Sequence, residues 1–541
     1  MFPMPSLWKE RSRWTVLVAA CWMEATSGLS YVFSTYSGVL KSELGCDQRH
    51  INRLAVAKDL GDHIGLAAGF LCRILPNWAV LLIGSFLILG GYGFLWLLTN
   101  HTVPAPPFWL VCIIMFIGTN GATYLDTTAL VTSLSNFSSS RATVVGLLKG
   151  FKGLSGALFN QIYASFLAPD QTSFILLIAL GPIVVMMPLI LMVGPGSTMK
   201  ISVNDDNEDL NFRLLYGASM LLAAYMLTVT LVQDLCSVNE NTNIAFTIVL
   251  FLILLLPLFV PKIAELSSER HNKETPQLEN PLLRERWVVD GEDGLTSRVS
   301  NVCTEEQKLS GDATELLLLE TDQSLSKAFR NMKFWLLIFS IFFSMGSGTT
   351  AFNNLGQMAE AQGYENTELF VSMSNIWNFV GRLVGGYVSE TSTSVYGHPR
   401  TLGLALAQVV MAAGHILFAT APPKTIYVAV FLVAAGYGAE WAIFPTALSE
   451  LFGLQNFGIL YNFVTMASPA GSLIYSTFIA GPVYDRQARK QGSSTCEGTI
   501  CFETTFFIMA AVCVIAAALS IALAIRTRSF YRRCYSDSAF R

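Results

Sequence analysis

Charge is what this sequence has least of: only 13% of its 541 residues are Asp, Glu, Lys or Arg. A soluble domain carries about 25%, so half of the usual charge is missing. Also absent are a zinc-ligand spacing, a glycine-rich phosphate loop and a nucleophile elbow, which leaves no catalytic constellation, no metal site and no cofactor motif to read. The net charge of −4 and a pI near 5.9 give no basic surface for nucleic acid. These gaps point away from a soluble enzyme.

What is present is apolar. Hydrophobic residues make up 52% of the chain and the mean hydropathy is +0.49. The apolar residues come in runs of roughly 20, long enough as helices to cross a hydrocarbon core of about 30 Å. In lipid the backbone must satisfy its own polar groups, which selects helices. Spans are expected near Trp14–Leu40, Ile51–Leu75, Trp78–Leu98, Phe108–Thr132, Ala142–Ala168 and Phe174–Val193. Two more are expected near Arg213–Gln233 and Ile244–Pro261, and six near Met332–Phe352, Phe370–Glu390, Thr401–Thr420, Thr425–Leu448, Asn456–Ala480 and Thr504–Arg526. The expected fold is all-α and integral to the membrane, with about 12–14 crossings.

The division that follows is a six-helix unit (1–193), a pair of extra spans (194–261), a linker (262–331), a second six-helix unit (332–526) and a basic tail (527–541). The linker is rich in Glu, Lys, Ser and Asn, the composition of a disordered segment. The first span reads as an uncleaved signal anchor. Lys9, Arg11, Arg13, Arg73, Arg141, Lys200, Arg400 and the tail arginines fall on one side of the alternating spans, whereas loops 99–107, 234–243 and 353–368 hold no Lys or Arg. The basic side is expected to be cytosolic, with both termini on it. Lys41 and Arg49, and the group Arg486, Arg489 and Lys490, dissent. Ten cysteines are scattered along the chain, four of them within spans. Cys496 and Cys501 share one predicted outer loop, and an oxidising space there makes them a disulfide candidate.

A charge inside a span is costly, about 2.5–3.5 kcal/mol at the centre on insertion scales, and persists where it faces a cavity or a partner. Glu24 lies about 15 Å into span one, with Ser27, Gly28 and Tyr31 on the same stripe. Span four carries Asn120, Tyr124 and Asp126, span nine ends in Asn353 and Asn354, and span twelve carries Glu440 behind Gly436 and Gly438. Each is a candidate solute or proton site, and packing inside the bundle is the rival reading. Asp59, Asp62 and His63 crowd span two beside Lys58, as an ion pair between Lys58 and Asp62 or as a proton relay through Asp59 and His63. Span five places Lys149 and Lys152 among Gly146, Gly150, Gly153 and Gly156. The glycines suggest a packing face, and the lysines either snorkel to water or bind an anion.

The runs LKGFKGLSG (148–156) and NFSSSR (136–141), with SELFGL (449–454), LYNF (460–463), GPVYD (481–485) and YSGVLKSELG (36–45), resemble the plant Nodulin-like major facilitator family. Its members include proteins named Nuclear Fusion Defective. The resemblance implies the major facilitator fold, two six-helix halves around a central cavity lined by the first and fourth helix of each. WNFVGRLVGG (377–386) is similar to a helix-eight signature of oxalate–formate and monocarboxylate transporters, which implies that Arg382 faces a carboxylate solute. The rival role of Arg382 is a gate brace. Gly69 and Arg73 match the first-half gate motif, which lacks its usual acidic residue here, so gating through that loop is in doubt.

These readings converge on a multi-pass secondary transporter of a small solute, an organic anion or metabolite, working by alternating access with Glu24 and Glu440 as proton-coupling carboxylates. A protonated, uncharged Glu crosses the closed state more cheaply than a carboxylate. The rival is a non-transporting scaffold or sensor on the same fold, acting through the linker, in a developmental process such as nuclear fusion.

Overall fold

The structure, a computed structural model, describes residues 12–45, 48–137, 140–168, 170–193, 208–235, 238–260, 324–364, 367–420, 425–492 and 496–535, and no strand occurs among them. The first unit runs through α1 (Arg13–Ser27), α2 (Phe33–Glu43), α3 (Gln48–His63), α4 (Leu66–Ile74), α5 (Asn77–Thr99), α6 (Phe108–Asn136), α7 (Arg141–Phe166) and α8 (Gln171–Val193). The extra pair is α9 (Glu208–Leu235) and α10 (Glu240–Leu255). A short α11 (Leu325–Phe329) precedes the second unit: α12 (Met332–Ala361), α13 (Thr367–Tyr396), α14 (Arg400–Thr420), α15 (Ile426–Phe452), α16 (Phe457–Thr465), α17 (Ala467–Tyr475), α18 (Gly481–Gln491) and α19 (Glu503–Tyr535).

Local chemistry starts these helices where the sequence allows it. The Ser12 hydroxyl accepts from the Trp14 amide to cap α1, and Asn239 and Asn331 cap α10 and α12 in the same way. Asp170 takes the amides of Thr172 and Ser173 at the start of α8, and the Ser173 hydroxyl holds its carboxyl below the ordinary value.

Eleven helices among the described residues are long and apolar enough to cross a membrane. Three further segments expected as spans miss that measure for identifiable reasons. Span one is broken between α1 and α2 by a 3-10 turn over Leu29–Val32, span two is broken at Ile64–Gly65, and α13 is made more polar by Ser372, Ser374, Asn375, Asn378 and Arg382. Span thirteen is also interrupted, at Met466 between α16 and α17. Unwound backbone at membrane depth is tolerated only where it is buried in protein or lines a cavity, so the breaks themselves point to a site.

Several boundaries differ from expectation. α12 continues to Ala361 past Asn353 and Asn354, and α18 carries Arg486, Arg489 and Lys490 on a helical extension rather than in a loop. Residues 262–323 of the predicted linker lie outside the described residues, as do Lys9, Arg11 and Lys200. Its last residues are ordered, since Ser324 caps α11 and Phe329 packs on Phe334 and Phe463. Cys496 and Cys501 are joined by a disulfide.

α5 packs on α6 and α8, and α1 on α6 and α7, to form one half; α14 packs on α15 and α19, and α12 on α17 and α19, to form the other. The halves meet where α7 crosses α13 and where α4 meets α16. α9 lies along this seam, with the Tyr216 hydroxyl donating 2.9 Å to the Thr143 carbonyl of α7 and its ring 6.0 Å from that of Tyr387 on α13. By alternation of the spans, Arg13, Arg141 and Met332 share one face of the molecule, here the linker face, and the disulfide lies on the other. At the linker face the halves touch closely. A side chain at Gly69 would meet the Gly458 backbone, and one at Gly146 would meet the Arg382 carbonyl and Gly386. Arg73 donates 2.9 Å to the Asn456 side chain, and the Ala142 amide donates 2.7 Å to the Glu390 carboxylate. Gly69 and Arg73, doubtful as gate elements from their degenerate motif, therefore make direct contacts between the halves.

Candidate solute site

The broken helices converge on one cavity between the halves. It is lined by Tyr31, Asp62, His63, Asp126, Lys152, Arg382, Trp441, Tyr461, Asn462 and Thr465. Tyr31 comes from the turn after α1, Asp62 and His63 from the end of α3, and Thr465 from the end of α16. The carbonyls freed at the breaks are recaptured locally. Asn120 donates to Gly61 O at 3.0 Å and Ile64 O at 2.7 Å, and Lys58 to Ser30 O at 3.1 Å. Asn120, predicted to face the solute, instead holds the broken span two together.

A chain of buried charges forms the first-half wall. Lys149 holds Asp126 in a direct ion pair and lies 3.8 Å from Glu24. Lys152 bridges Asp62 at 3.4 Å and Asp126 at 3.7 Å. The Ser27 hydroxyl donates 3.0 Å to Glu24, Ser30 donates 2.9 Å to Asp62, and Tyr461 reaches across from the second half to donate 3.1 Å to Asp126. Neither lysine snorkels: both are buried, because glycines on α7 let neighbouring chains crowd it on every side. A side chain at Gly28 would meet the Lys152 carbonyl and Ser155, one at Gly156 the Tyr31 side chain. The predicted Lys58–Asp62 pair does not form, since Asp62 goes to Lys152 and Lys58 pairs with Asp59 at 2.9 Å. The relay between the Asp59 and His63 side chains is also absent: Nδ1 of His63 contacts the Asp59 main-chain carbonyl.

Arg382 sits opposite, 1% exposed, and none of its partners is a carboxylate. It donates to Asn378 Oδ1 at 2.9 Å, to the Lys149 carbonyl at 2.5 Å and to the Tyr31 hydroxyl at 3.0 Å, and its guanidinium lies 5.7 Å from the centre of the Trp441 ring. Three carboxylates (Glu24, Asp62, Asp126) thus face three cations (Lys149, Lys152, Arg382), and the acid that balances Arg382 by count is not in contact with it.

Other candidates lie elsewhere. Glu440 is fully buried inside the second half, where it accepts from Ser344 at 2.9 Å, and it does not line the cavity; its neighbour Trp441 does. Tyr124 packs with Ala68 and Val80 within the first half. Asn353 is exposed, and Asn354 donates to the Thr350 carbonyl. Sequence reasoning missed Trp441, Tyr461, Asn462 and Thr465. The LYNF run holds two of them, but an aromatic residue in a span carries no mark of which way it faces.

Among known proteins, residues 13–262 match the Nodulin-like family and residues 319–533 the family described as NFD4, C-terminal domain. The chain is 26% identical over 548 residues to Protein NUCLEAR FUSION DEFECTIVE 4 of Arabidopsis thaliana, covering 99% of this chain and 92% of that one. It is 28% identical over 210 residues to a probable transporter, MCH1, of Yarrowia lipolytica, covering 36% of this chain and 42% of that one. Among solved structures it is similar to the proton:xylose symporter XylE, with a TM-score of 0.54 at 11% identity and 94% of each chain covered. A bacterial homologue of the iron transporter ferroportin gives a TM-score of 0.52 at 13% identity, covering 95% of this chain and 100% of that one. These likenesses establish the fold, and the two family matches together span most of the sequence. The chain joins a Nodulin-like domain to an NFD4 C-terminal domain in a multi-pass membrane protein with the major facilitator fold.

Proposed function

We propose that this protein is a secondary transporter that carries a small organic anion together with a proton, alternating access to the cavity between its halves. The observation that carries the reading is Arg382, a guanidinium buried in the cavity wall with only neutral partners. A buried charge without a counter-ion is costly, and an anionic solute supplies one. Planar forked donors suit a carboxylate.

The proton follows from the charge count. With Glu24 ionised, three acids offset three bases. With Glu24 protonated, the cluster carries one positive charge in surplus, and one anion restores balance. Proton and anion then favour each other's binding, and linkage makes that preference mutual. The contacts between Gly69 and Gly458 and between Gly146 and Gly386 close the linker face in this conformation; rocking of the halves opens it. With the basic linker face in the cytosol, the closed side is the cytosolic one.

The test is uptake by the purified chain in liposomes with an imposed pH gradient, screened across carboxylates, amino acids and sugars. Carboxylate uptake that falls at least tenfold in Arg382→Gln, with the variant still monodisperse, is expected. Uptake confined to a neutral sugar, or unchanged in Arg382→Gln, overturns the reading.

A further inference from the structure

We propose that the solute is a small hydroxycarboxylate whose hydroxyl group is read by Nε2 of His63. This rests on the anion reading above and adds the second functional group of the solute.

The argument begins with the tautomer. Nδ1 of His63 lies 2.8 Å from the main-chain oxygen of Asp59, one turn back on α3. A carbonyl oxygen only accepts, so the single proton of the neutral imidazole is on Nδ1 and Nε2 is an acceptor. Because the Nδ1 edge is turned back onto its own helix, the Nε2 edge is directed away from it, and the ring forms part of the cavity wall. No hydrogen-bond partner of Nε2 occurs among the described residues. The second half fixes the ring's position: it lies 6.0 Å from the Trp441 ring at a 48° tilt, and Thr465 donates 3.5 Å to the His63 carbonyl.

The other polar groups of the wall are engaged. Tyr31 takes the Arg382 guanidinium, Tyr461 donates to Asp126, and the Asn462 amide donates to Thr127 and Gly458. Asp62 and Asp126 are held by lysines and, as carboxylates, repel an anion. The Asn462 side-chain oxygen is packed against Gly65, so Nε2 of His63 is the uncharged acceptor on offer to an anionic solute. Arg382 and His63 also flank the same indole, at 5.7 Å and 6.0 Å from Trp441. In this proposal a short molecule anchored by its carboxylate on Arg382 places its hydroxyl on Nε2. The hydroxyl on such a solute pairs with an acceptor of the cavity wall that a plain carboxylate leaves unpaired.

The test compares 2-hydroxypropanoate, 3-hydroxypropanoate, 2-oxopropanoate and propanoate in the same liposome assay, with ratios taken within each variant so that any change in total uptake cancels. In the wild type one of the hydroxy acids is expected to be favoured over propanoate by roughly two- to twelvefold, the worth of one net hydrogen bond. That ratio is expected to fall to about one in His63→Phe and to survive in part in His63→Gln, whose amide oxygen still accepts. A wild-type ratio of one, a ratio unchanged in His63→Phe, or a preference for 2-oxopropanoate overturns the assignment while leaving the anion reading in place. A folded wild type that moves none of the four overturns both.

Discussion

Arg382 on α13 donates 3.0 Å to the Tyr31 hydroxyl and 2.5 Å to the Lys149 carbonyl, so a single guanidinium ties the second half to the turn after α1 and to α7. Gly153 lines the guanidinium: a Cβ there would lie in van der Waals contact with it, 3.4 Å from Cζ and Nε. The residue that is free to take an anion is thus also one that holds the halves together. Solute binding and release of that link compete for the same donors, which is the coupling that alternating access needs.

The charge cluster is expected to behave as a unit in stability. Asp126→Asn leaves Lys149 with Glu24 alone at 3.8 Å, and Lys149→Met leaves one acid in excess. Each single change is expected to cost about 3–5 kcal/mol, because it strands a buried charge. The double change restores the balance and is expected to recover more than half of that loss. Melting temperatures in detergent for the two singles and the double check it; additive losses in the double count against a closed cluster.

Closure of the linker face depends on glycine at the seam. A valine at position 146 would push against the Arg382 carbonyl 2.8 Å from its Cβ and against Gly386 at 3.0 Å. Gly146→Val is expected to hold the halves apart there, lowering uptake severalfold and raising the alkylation of a cysteine introduced at Asn456. Gly217→Val is the control, since nothing lies within 4 Å of a side chain at that site, and it should leave both readouts near wild type.

Most of the architecture was legible because hydropathy accumulates over twenty residues, so single errors cancel. The broken spans one and two were read as whole, since Gly28 and Gly65 look like any glycine in a membrane helix. Glu24, Asp126 and Arg382 were legible for the same reason in reverse, as charges that lipid does not tolerate. What stayed hidden was direction. Lys149 and Lys152 looked able to reach water, because distance to the helix end is readable and the neighbour on each side is not. Asn120 looked like a cavity residue, because a polar group that caps a broken helix and one that binds a solute have the same appearance in sequence. Trp441 was overshadowed by Glu440, one residue away and turned into the second half.

That reversal makes a prediction. Glu440 has no cation within ion-pair reach among the described residues, and its visible contact is the Ser344 hydroxyl at 2.9 Å, beside Gln408, which donates 3.2 Å to the same hydroxyl. Glu440→Gln keeps the shape and an acceptor, and pH-driven uptake is expected to stay within about twofold of wild type. Glu440→Ala empties the position and leaves the Ser344 hydroxyl only the Ser340 carbonyl at 2.9 Å, at a cost of about 0.5–1.5 kcal/mol in the melting transition. Collapse of uptake in Glu440→Gln, with folding intact, would return Glu440 to the coupling machinery.

Glu24 is where the coupling proposal is most exposed. It is fully buried beside Lys149, with Ser27 on one oxygen and no hydrogen bond on the other. Glu24→Gln keeps the size and the Ser27 contact while fixing the neutral state, so the cluster holds its positive surplus at every pH. Anion binding then no longer depends on taking up a proton. Uptake driven by a pH gradient is expected to collapse, because the proton's free energy has no route into the cycle. Counterflow exchange, in which a loaded carrier returns loaded, is expected to survive within severalfold. The apparent affinity for the anion should lose its pH dependence and stay at the level the wild type shows in acid. The sign matters here. If affinity in Glu24→Gln were instead fixed at the weaker, alkaline level, the surplus charge would not be what draws the anion. If pH-driven uptake in Glu24→Gln equalled wild type, the coupling proton would reside on another group, and Asp62, Asp126 and His63 would be the next to change.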